Sequence, residues 1–207
     1  MTARPVFIGI DLGTTRTKVG VMSAHGEALG FARAEHASDV DPDAGRAEQD
    51  PDSWWDGLGL AIRGAMEAAS NQGAIEPGAI CVVGQGPTLV PVAADGAPVG
   101  PAITWLDARS RHELAELEAA TGLRGWALGV LPAALWLERH EPAVAGRAAW
   151  YLNSWEALAL RLCGVASTSV VPGGTPLPRD IVVGAGLDER KVAADRSEEH
   201  TSELQSH

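Results

Sequence analysis

Apolar residues come in short bursts near the start of the chain and in helically spaced stripes further on. Residues 6–10, 18–22 and 29–34 read as strands, and the glycine-containing turn Ser23-Ala24-His25-Gly26-Glu27 joins the second to the third as a meander. Residues 35–48 are polar, carry Asp, Pro and Gly, and predict a loop. Asp50-Pro51 then marks a helix start, with Asp as the N-cap and Pro in the first turn. Trp55, Leu58, Ile62, Met66 and Ala69 follow at helical spacing as a core-facing stripe, and Asn71-Gln72-Gly73 ends it. Residues 80–83 predict a short buried strand that delivers the turn Gly84-Gln85-Gly86-Pro87. Runs 89–93 and 99–103 flank Asp95-Gly96, a hairpin signal. Helical spacing returns over 110–120, with Leu114 and Leu117 inward, and again over 132–141 and 154–162. Pro172-Gly173-Gly174 and Pro176-Leu177-Pro178 break any regular element. Strands first and helices later predict an α/β fold.

Composition narrows the function. The 207 residues carry 27 Asp and Glu against 16 Lys and Arg, a net charge of −11 that argues against a nucleic-acid partner. Two cysteines, Cys81 and Cys163, lie in apolar runs and read as buried thiols, too few for a disulfide framework or a zinc site. The six histidines show no metal-ligand spacing. No apolar run reaches the ~18 residues of a membrane span, and the start lacks a leader pattern. The expectation is a cytoplasmic protein with no membrane partner. No Gly-x-Ser-x-Gly elbow offers a nucleophile for acyl chemistry.

The candidate chemistry sits at the front. In Phe7-Ile8-Gly9-Ile10-Asp11-Leu12-Gly13-Thr14-Thr15-Arg16-Thr17-Lys18, an apolar strand ends in a carboxylate, a glycine, two hydroxyls and then basic residues. Gly13 lets an anion approach the backbone. Thr14 and Thr15 bring donors, and Asp11 is a hard oxygen ligand able to hold Mg²⁺ directly or through water. Lys18 or Arg16 adds positive charge. The run is not a Walker A loop, since it lacks the Gly-Lys-Ser/Thr ending.

This loop resembles the first phosphate loop of the actin-like ATPase superfamily and, within it, of the FGGY carbohydrate kinases. Further matches follow in order. Ala47-Glu48-Gln49-Asp50-Pro51-Asp52-Ser53-Trp54-Trp55 resembles the family's Gln-Asp-Pro-x-x-Trp-Trp segment, and Gly84-Gln85 its Gly-Gln element. Pro101-Ala102-Ile103-Thr104-Trp105-Leu106-Asp107-Ala108-Arg109 resembles its Trp-x-Asp-x-Arg element. Leu152-Asn153-Ser154-Trp155-Glu156-Ala157-Leu158, closing on Leu162-Cys163-Gly164, is similar to its later helix. Each motif is weak alone; together they are specific.

The resemblance implies a ribonuclease H-like N-terminal domain with a five-stranded sheet and appended helices. It implies ATP and Mg²⁺ as cofactors and transfer of the γ-phosphate to a hydroxyl of a sugar, polyol or sugar acid, driven by positioning and charge neutralisation. Asp11 would face the metal, Gly13, Thr14 and Thr15 the phosphates, and Lys18 would stand near them. Gln85 and Gly86 fall in the sugar-binding turn, and Trp105 is the tryptophan best placed to stack on a sugar ring. Asp107 either caps the helix it opens or bonds a sugar hydroxyl, two compatible roles. Arg109 reads as an i,i+4 partner of Glu113.

The chain also departs from the family. Gly86-Pro87 stands where the xylulokinase pattern has Met-His, so xylulose itself is not implied. The family's general base, an Asp in a Gly-Gly-Asp turn of the second domain, has no counterpart, since Gly173-Gly174 is followed by Thr175. The base is therefore unassigned. Residues 196–207 read as a translated sequencing adapter, which leaves 1–195 as an incomplete kinase domain expected to be inactive alone. Two other readings remain at this point: an actin-like ATPase without sugar chemistry, and an inactive binding fragment. The sequence sets no oligomeric state.

Overall fold

The computed structural model describes residues 3–165 together with 183, 184, 186–188 and 191. The breaker segments at 172–178 and the tail at 196–207 lie outside the described residues. Two compact units make up the chain, one from Met1–Ser38 and Gln49–Gln85, the other from Asp39–Glu48 and Gly86–His207.

In the first unit the expected meander forms from β1 (Arg4–Leu12), β2 (Arg16–Ser23) and β3 (Ala28–Glu35), paired antiparallel. Alternation along β1 puts Val6, Ile8, Ile10 and Leu12 into the core and leaves Asp11 on the other face. Helix α1 (Pro51–Ser70) starts as predicted, the Asp50 carboxylate accepting from the Asp52 N–H at 2.9 Å with Pro51 in the first turn.

The buried stripe of α1 differs from the expected one. Trp54, Leu58, Ala61, Ala65 and Ala69 face the sheet, while Trp55, Ile62 and Met66 sit half-buried on the flanks. Close approach is the cause. A Cβ at Gly30 would collide with the Ala65 carbonyl oxygen, and one at Gly64 would come within 3.1 Å of the Ala32 Cβ. Along the C-terminal half of α1 only small side chains fit the seam, so Ala61, Ala65 and Ala69 take the buried positions there in place of Ile62 and Met66.

Two short strands, β4 (Asp39–Asp41) and β5 (Arg46–Gln49), form a hairpin where a loop was expected. Their sequences, Asp-Val-Asp and Arg-Ala-Glu-Gln, carry no apolar run that would announce a strand. Strand β6 (Ile75–Gly84) runs parallel to β1 and completes a four-stranded sheet in the order β3-β2-β1-β6. It is longer than predicted and exposed rather than buried, with Ile80 and Val83 at 47% and 56% exposure. It lies at the sheet edge, whereas α1 packs on β2 and β3. Cys81, on this edge, and Cys163 are both exposed thiols, contrary to the expected burial.

The second unit holds a separate sheet in the order β4-β5-β8-β7-β9, from β7 (Leu89–Val92), β8 (Ala102–Ile103) and β9 (Trp150–Asn153) in addition to the polar hairpin. The strands expected in one five-stranded sheet are thus divided between two. The Asp95-Gly96 turn is present, and β7 and β8 pair antiparallel through Leu89 and Ile103. Helices α2 (Arg111–Thr121), α3 (Leu131–His140), α4 (Pro142–Ala145) and α5 (Ser154–Cys163) follow, three of them as predicted. Leu89, Ile103, Leu117, Leu131, Leu135 and Tyr151 belong to the core of this unit.

Candidate functional site

β1 ends at Leu12 and β2 begins at Arg16, so Gly13, Thr14 and Thr15 form the tip of a hairpin. Asp11 and Lys18 face each other directly across the two strands, and Lys18 Nζ donates to Asp11 Oδ2 at 2.8 Å. Both side chains are nearly half exposed. Such a pair is worth about 0–1 kcal/mol, so an arriving anion can take Lys18 at little cost and release the carboxylate to a cation. Among the described residues no group of three or more His, Cys, Asp or Glu side chains is arranged to hold a metal. Asp11 still fits Mg²⁺, which accepts one or two carboxylates and takes the rest of its shell from phosphate oxygens and water.

Three carbonyls of the tip accept hydrogen bonds from other parts of the first unit. The Gly13 carbonyl accepts from His36 Nε2 at 3.1 Å, the Thr14 carbonyl from Gln49 Nε2 at 2.6 Å, and the Thr15 carbonyl from the His36 N–H at 3.2 Å. Gln49 is buried, and its Oε1 accepts from Trp54 Nε1 at 3.0 Å and from Gln85 Nε2 at 2.6 Å, while its Nε2 also donates to Ser38 Oγ. Gln85 is thus tied to the loop through Gln49, and its own N–H donates to the Leu12 carbonyl at 2.7 Å. Burial holds the His36 imidazole below its ordinary pKa, against the opposing effect of its backbone hydrogen bonds to Gly13 and Thr14. The ring is therefore neutral at pH 7, and since a carbonyl only accepts, Nε2 carries the proton.

In the second unit, the end of β8 is fixed against β5. The Thr104 N–H and hydroxyl both donate to the Ala47 carbonyl, at 3.0 and 2.9 Å. Asp107 Oδ2 accepts from the Ala47 N–H at 2.8 Å, and Oδ1 from the Arg109 N–H at 3.0 Å. The Asp107 side chain is only 1% exposed. It does not cap α2, whose N-cap is Ser110. Arg109 pairs with Asp107 and Glu48, at 2.8 and 2.6 Å, and its guanidinium lies 4.3 Å from the Trp136 ring centroid. Burial works against the Arg109 charge, yet the hydrogen bonds and charges of Asp107 and Glu48 outweigh it and raise its pKa. The expected Arg109–Glu113 pair is replaced, and Glu113 lies near Arg139 and His140 instead. The turn opens beside a pocket of about 280 Å³ bordered by Pro87, Thr104, Trp105, Asp107, Ser110 and Trp126, among others. Trp105 is 46% exposed and Trp126 74%. Gly86 sits under the Trp155 ring, where a Cβ would come within 2.6 Å.

Residues 6–175 match the family model described as the FGGY family of carbohydrate kinases, N-terminal domain. The chain belongs to the FGGY family of carbohydrate kinases. Among curated FGGY-type relatives, xylulose kinase of Streptomyces coelicolor is 37% identical over 152 residues, covering 68% of this chain and 30% of that protein. Xylulose kinase of Escherichia coli is 30% identical over 209 residues, covering 96% of this chain and 42% of that protein. Among solved structures, xylulose kinase from Rhodospirillum rubrum superposes with a TM-score of 0.78 at 29% identity, over 90% of this chain and 42% of that one. Glycerol kinase of Plasmodium falciparum, solved with ADP, shares the fold with a TM-score of 0.68 at 21% identity, over 78% of this chain and 35% of that one. The chain therefore spans well under half the length of these relatives. An actin-like ATPase domain without sugar chemistry is not the favoured reading of this FGGY domain.

Three residues of the site escape a sequence reading. Gln49 was legible only as part of the Gln-Asp-Pro-x-x-Trp-Trp segment, and His36 stood in a segment expected to be loop. Trp126 gave no signal beyond being one of seven tryptophans; the structure sets it in the 3₁₀ turn Gly125–Leu128. Among the described residues no helix is long and apolar enough to cross a membrane.

Proposed function

We propose that this chain supplies the phosphate loop and part of the acceptor pocket of a cytoplasmic ATP-dependent carbohydrate kinase, which moves the γ-phosphate to a hydroxyl of a sugar, polyol or sugar acid. The observation that carries the reading is the Gly13–Thr15 tip, with three successive carbonyls held by His36 and Gln49 and the weak Asp11–Lys18 pair beside it. Mg²⁺ bound with ATP would neutralise charge on the β- and γ-oxygens. Asp11 would hold that ion, and Lys18 would turn from Asp11 to a phosphate oxygen. Thr14 and Thr15 would present backbone and hydroxyl donors to the phosphates, while Gly13, whose own N–H donates to the Arg16 carbonyl at 3.0 Å, would let them approach the backbone without a Cβ in the way.

On the acceptor side, Trp105 offers an apolar wall suited to the C–H face of a sugar or polyol, with Trp126 nearby as a second. Ser110 would add a hydroxyl to the same pocket, whereas the Thr104 hydroxyl donates to the Ala47 carbonyl. Asp107 would serve the acceptor chiefly by holding the turn that carries Trp105, because its carboxylate is taken up by Ala47 and Arg109. Gln85 and Gly86 are proposed as acceptor residues on the sequence resemblance. No residue of this chain is assigned as the general base.

The test is a hybrid in which residues 1–164 replace the matching part of E. coli xylulose kinase. Coupled ATP-consumption assays over ketoses, polyols and aldonates should find acceptor-dependent turnover in the hybrid and none from the 207-residue chain alone. A general base contributes about 10²–10⁴-fold, and its absence accounts for the second result. Asp11→Ala should lower kcat of the hybrid at least about 100-fold with little change in acceptor KM. A folded hybrid that turns over normally with Asp11→Ala would remove the metal role.

A further inference from the structure

We infer that Gln49 and His36 are positioning residues for the phosphate loop, setting its amides for an anion without touching the ligand. This rests on the loop's reading as a phosphate site and adds how its geometry is kept.

The inference follows from peptide geometry. A trans peptide is planar, and its N–H points opposite to its C=O. The Gly13 carbonyl shares a plane with the Thr14 N–H, and the Thr14 carbonyl with the Thr15 N–H. With the Gly13 carbonyl held by His36 Nε2 and the Thr14 carbonyl by Gln49 Nε2, the Thr14 N–H is aimed away from the imidazole and the Thr15 N–H away from the Gln49 amide. The Thr15 carbonyl, held by the His36 N–H, fixes the next plane in turn. A hairpin tip of Gly-Thr-Thr has many accessible conformations, and ordering it on binding would cost affinity. Here the ordering is done in advance by the fold.

Gln49 suits the task because both its ends are occupied. Trp54 Nε1 and Gln85 Nε2 saturate Oε1, which fixes the amide orientation and leaves Nε2 to donate to Thr14 and Ser38. A glutamate in its place keeps the shape and both bonds at the acceptor end. It has no N–H to donate, and it sets a carboxylate oxygen against the Thr14 carbonyl. His36 acts through its neutral form, which burial favours, with the proton on Nε2 because the Gly13 carbonyl can only accept, and its ring lies 6.3 Å from that of Trp54 at a tilt of 59°. Glutamine there can return an N–H to Gly13, whereas leucine cannot.

The experiment uses the full 207-residue chain labelled with ¹⁵N, as wild type, Gln49→Glu, His36→Leu and His36→Gln. It reads two quantities, amide exchange at residues 13–15 and the dissociation constant for MgATP from titration shifts, alongside thermal unfolding. In Gln49→Glu and His36→Leu the loop amides should exchange faster and MgATP should bind about tenfold more weakly, with unfolding still cooperative. His36→Gln should recover most of the loss. Exchange and affinity within twofold of wild type in both Gln49→Glu and His36→Leu overturn the inference. Should Gln49→Glu fail to fold, the His36→Leu and His36→Gln pair decides it, since rescue by a restored donor is not expected of a residue that merely packs. Should wild type not bind MgATP, the phosphate-site reading fails, and loop exchange alone still supports or overturns the positioning role.

Discussion

At the residue scale, the front loop divides into side chains that would meet a ligand and side chains that hold the loop. The first kind was legible in the sequence. Asp11, Gly13, Thr14 and Lys18 lie within eight positions, and their chemistry is local. The second kind was not, because Gln49 and His36 reach the tip only after the meander folds. His36 gives this scale a pH prediction. Its folded pKa is lowered by burial, so below its ordinary value near 6.5 the unfolded chain binds the proton first and stability rises with pH. The stabilisation from the neutral ring is complete above about pH 6.5 and declines as pH falls from there toward the lowered folded value. Urea unfolding between pH 5 and 8 should therefore show a decline on the acid side that is reduced in His36→Gln. An identical slope in the two proteins would mean that His36 does not titrate between the states.

At the scale of elements, termini were easier to read than faces. The Asp50-Pro51 start of α1 and the Asp95-Gly96 turn follow from capping and turn chemistry, and the three later helices from their apolar spacing, all of which is local. The buried face of α1 depends instead on how near the sheet comes, and Gly30 on β3 sets that distance. Asp107 shows the same limit. Its place in Trp-x-Asp-x-Arg was visible, but its use as the clamp between Ala47 and Arg109 depends on β5, a strand with no apolar signature. The approach of α1 gives a direct test. Gly30→Val would place side-chain atoms on the Ala65 backbone, and overpacking of this kind costs about 1–3 kcal/mol. Gly9→Ala on β1, where a Cβ meets nothing within 4 Å, serves as the control. Denaturant midpoints should fall clearly for Gly30→Val and change little for Gly9→Ala.

At the scale of the whole molecule, the four-stranded sheet of the first unit leaves large apolar side chains in water, among them Phe7, Met22, Phe31, Ile80 and Val83. Pattern reading assigned residues 80–83 to a core because it credits any apolar run with burial. The chain, however, covers only 30–42% of the curated kinases that it matches here. The Gly13–Thr15 tip and the residues that hold its carbonyls, His36 and Gln49, all lie within the first unit. The central claim is that this tip is a nucleotide phosphate site, and titration of ¹⁵N-labelled chain with MgATP tests it most directly. The amides of Gly13, Thr14 and Thr15 should move saturably, inorganic phosphate should compete, and Asp11→Ala should abolish the response while leaving the rest of the spectrum in place. Shifts confined to other residues, or an unchanged response in Asp11→Ala, would contradict the account.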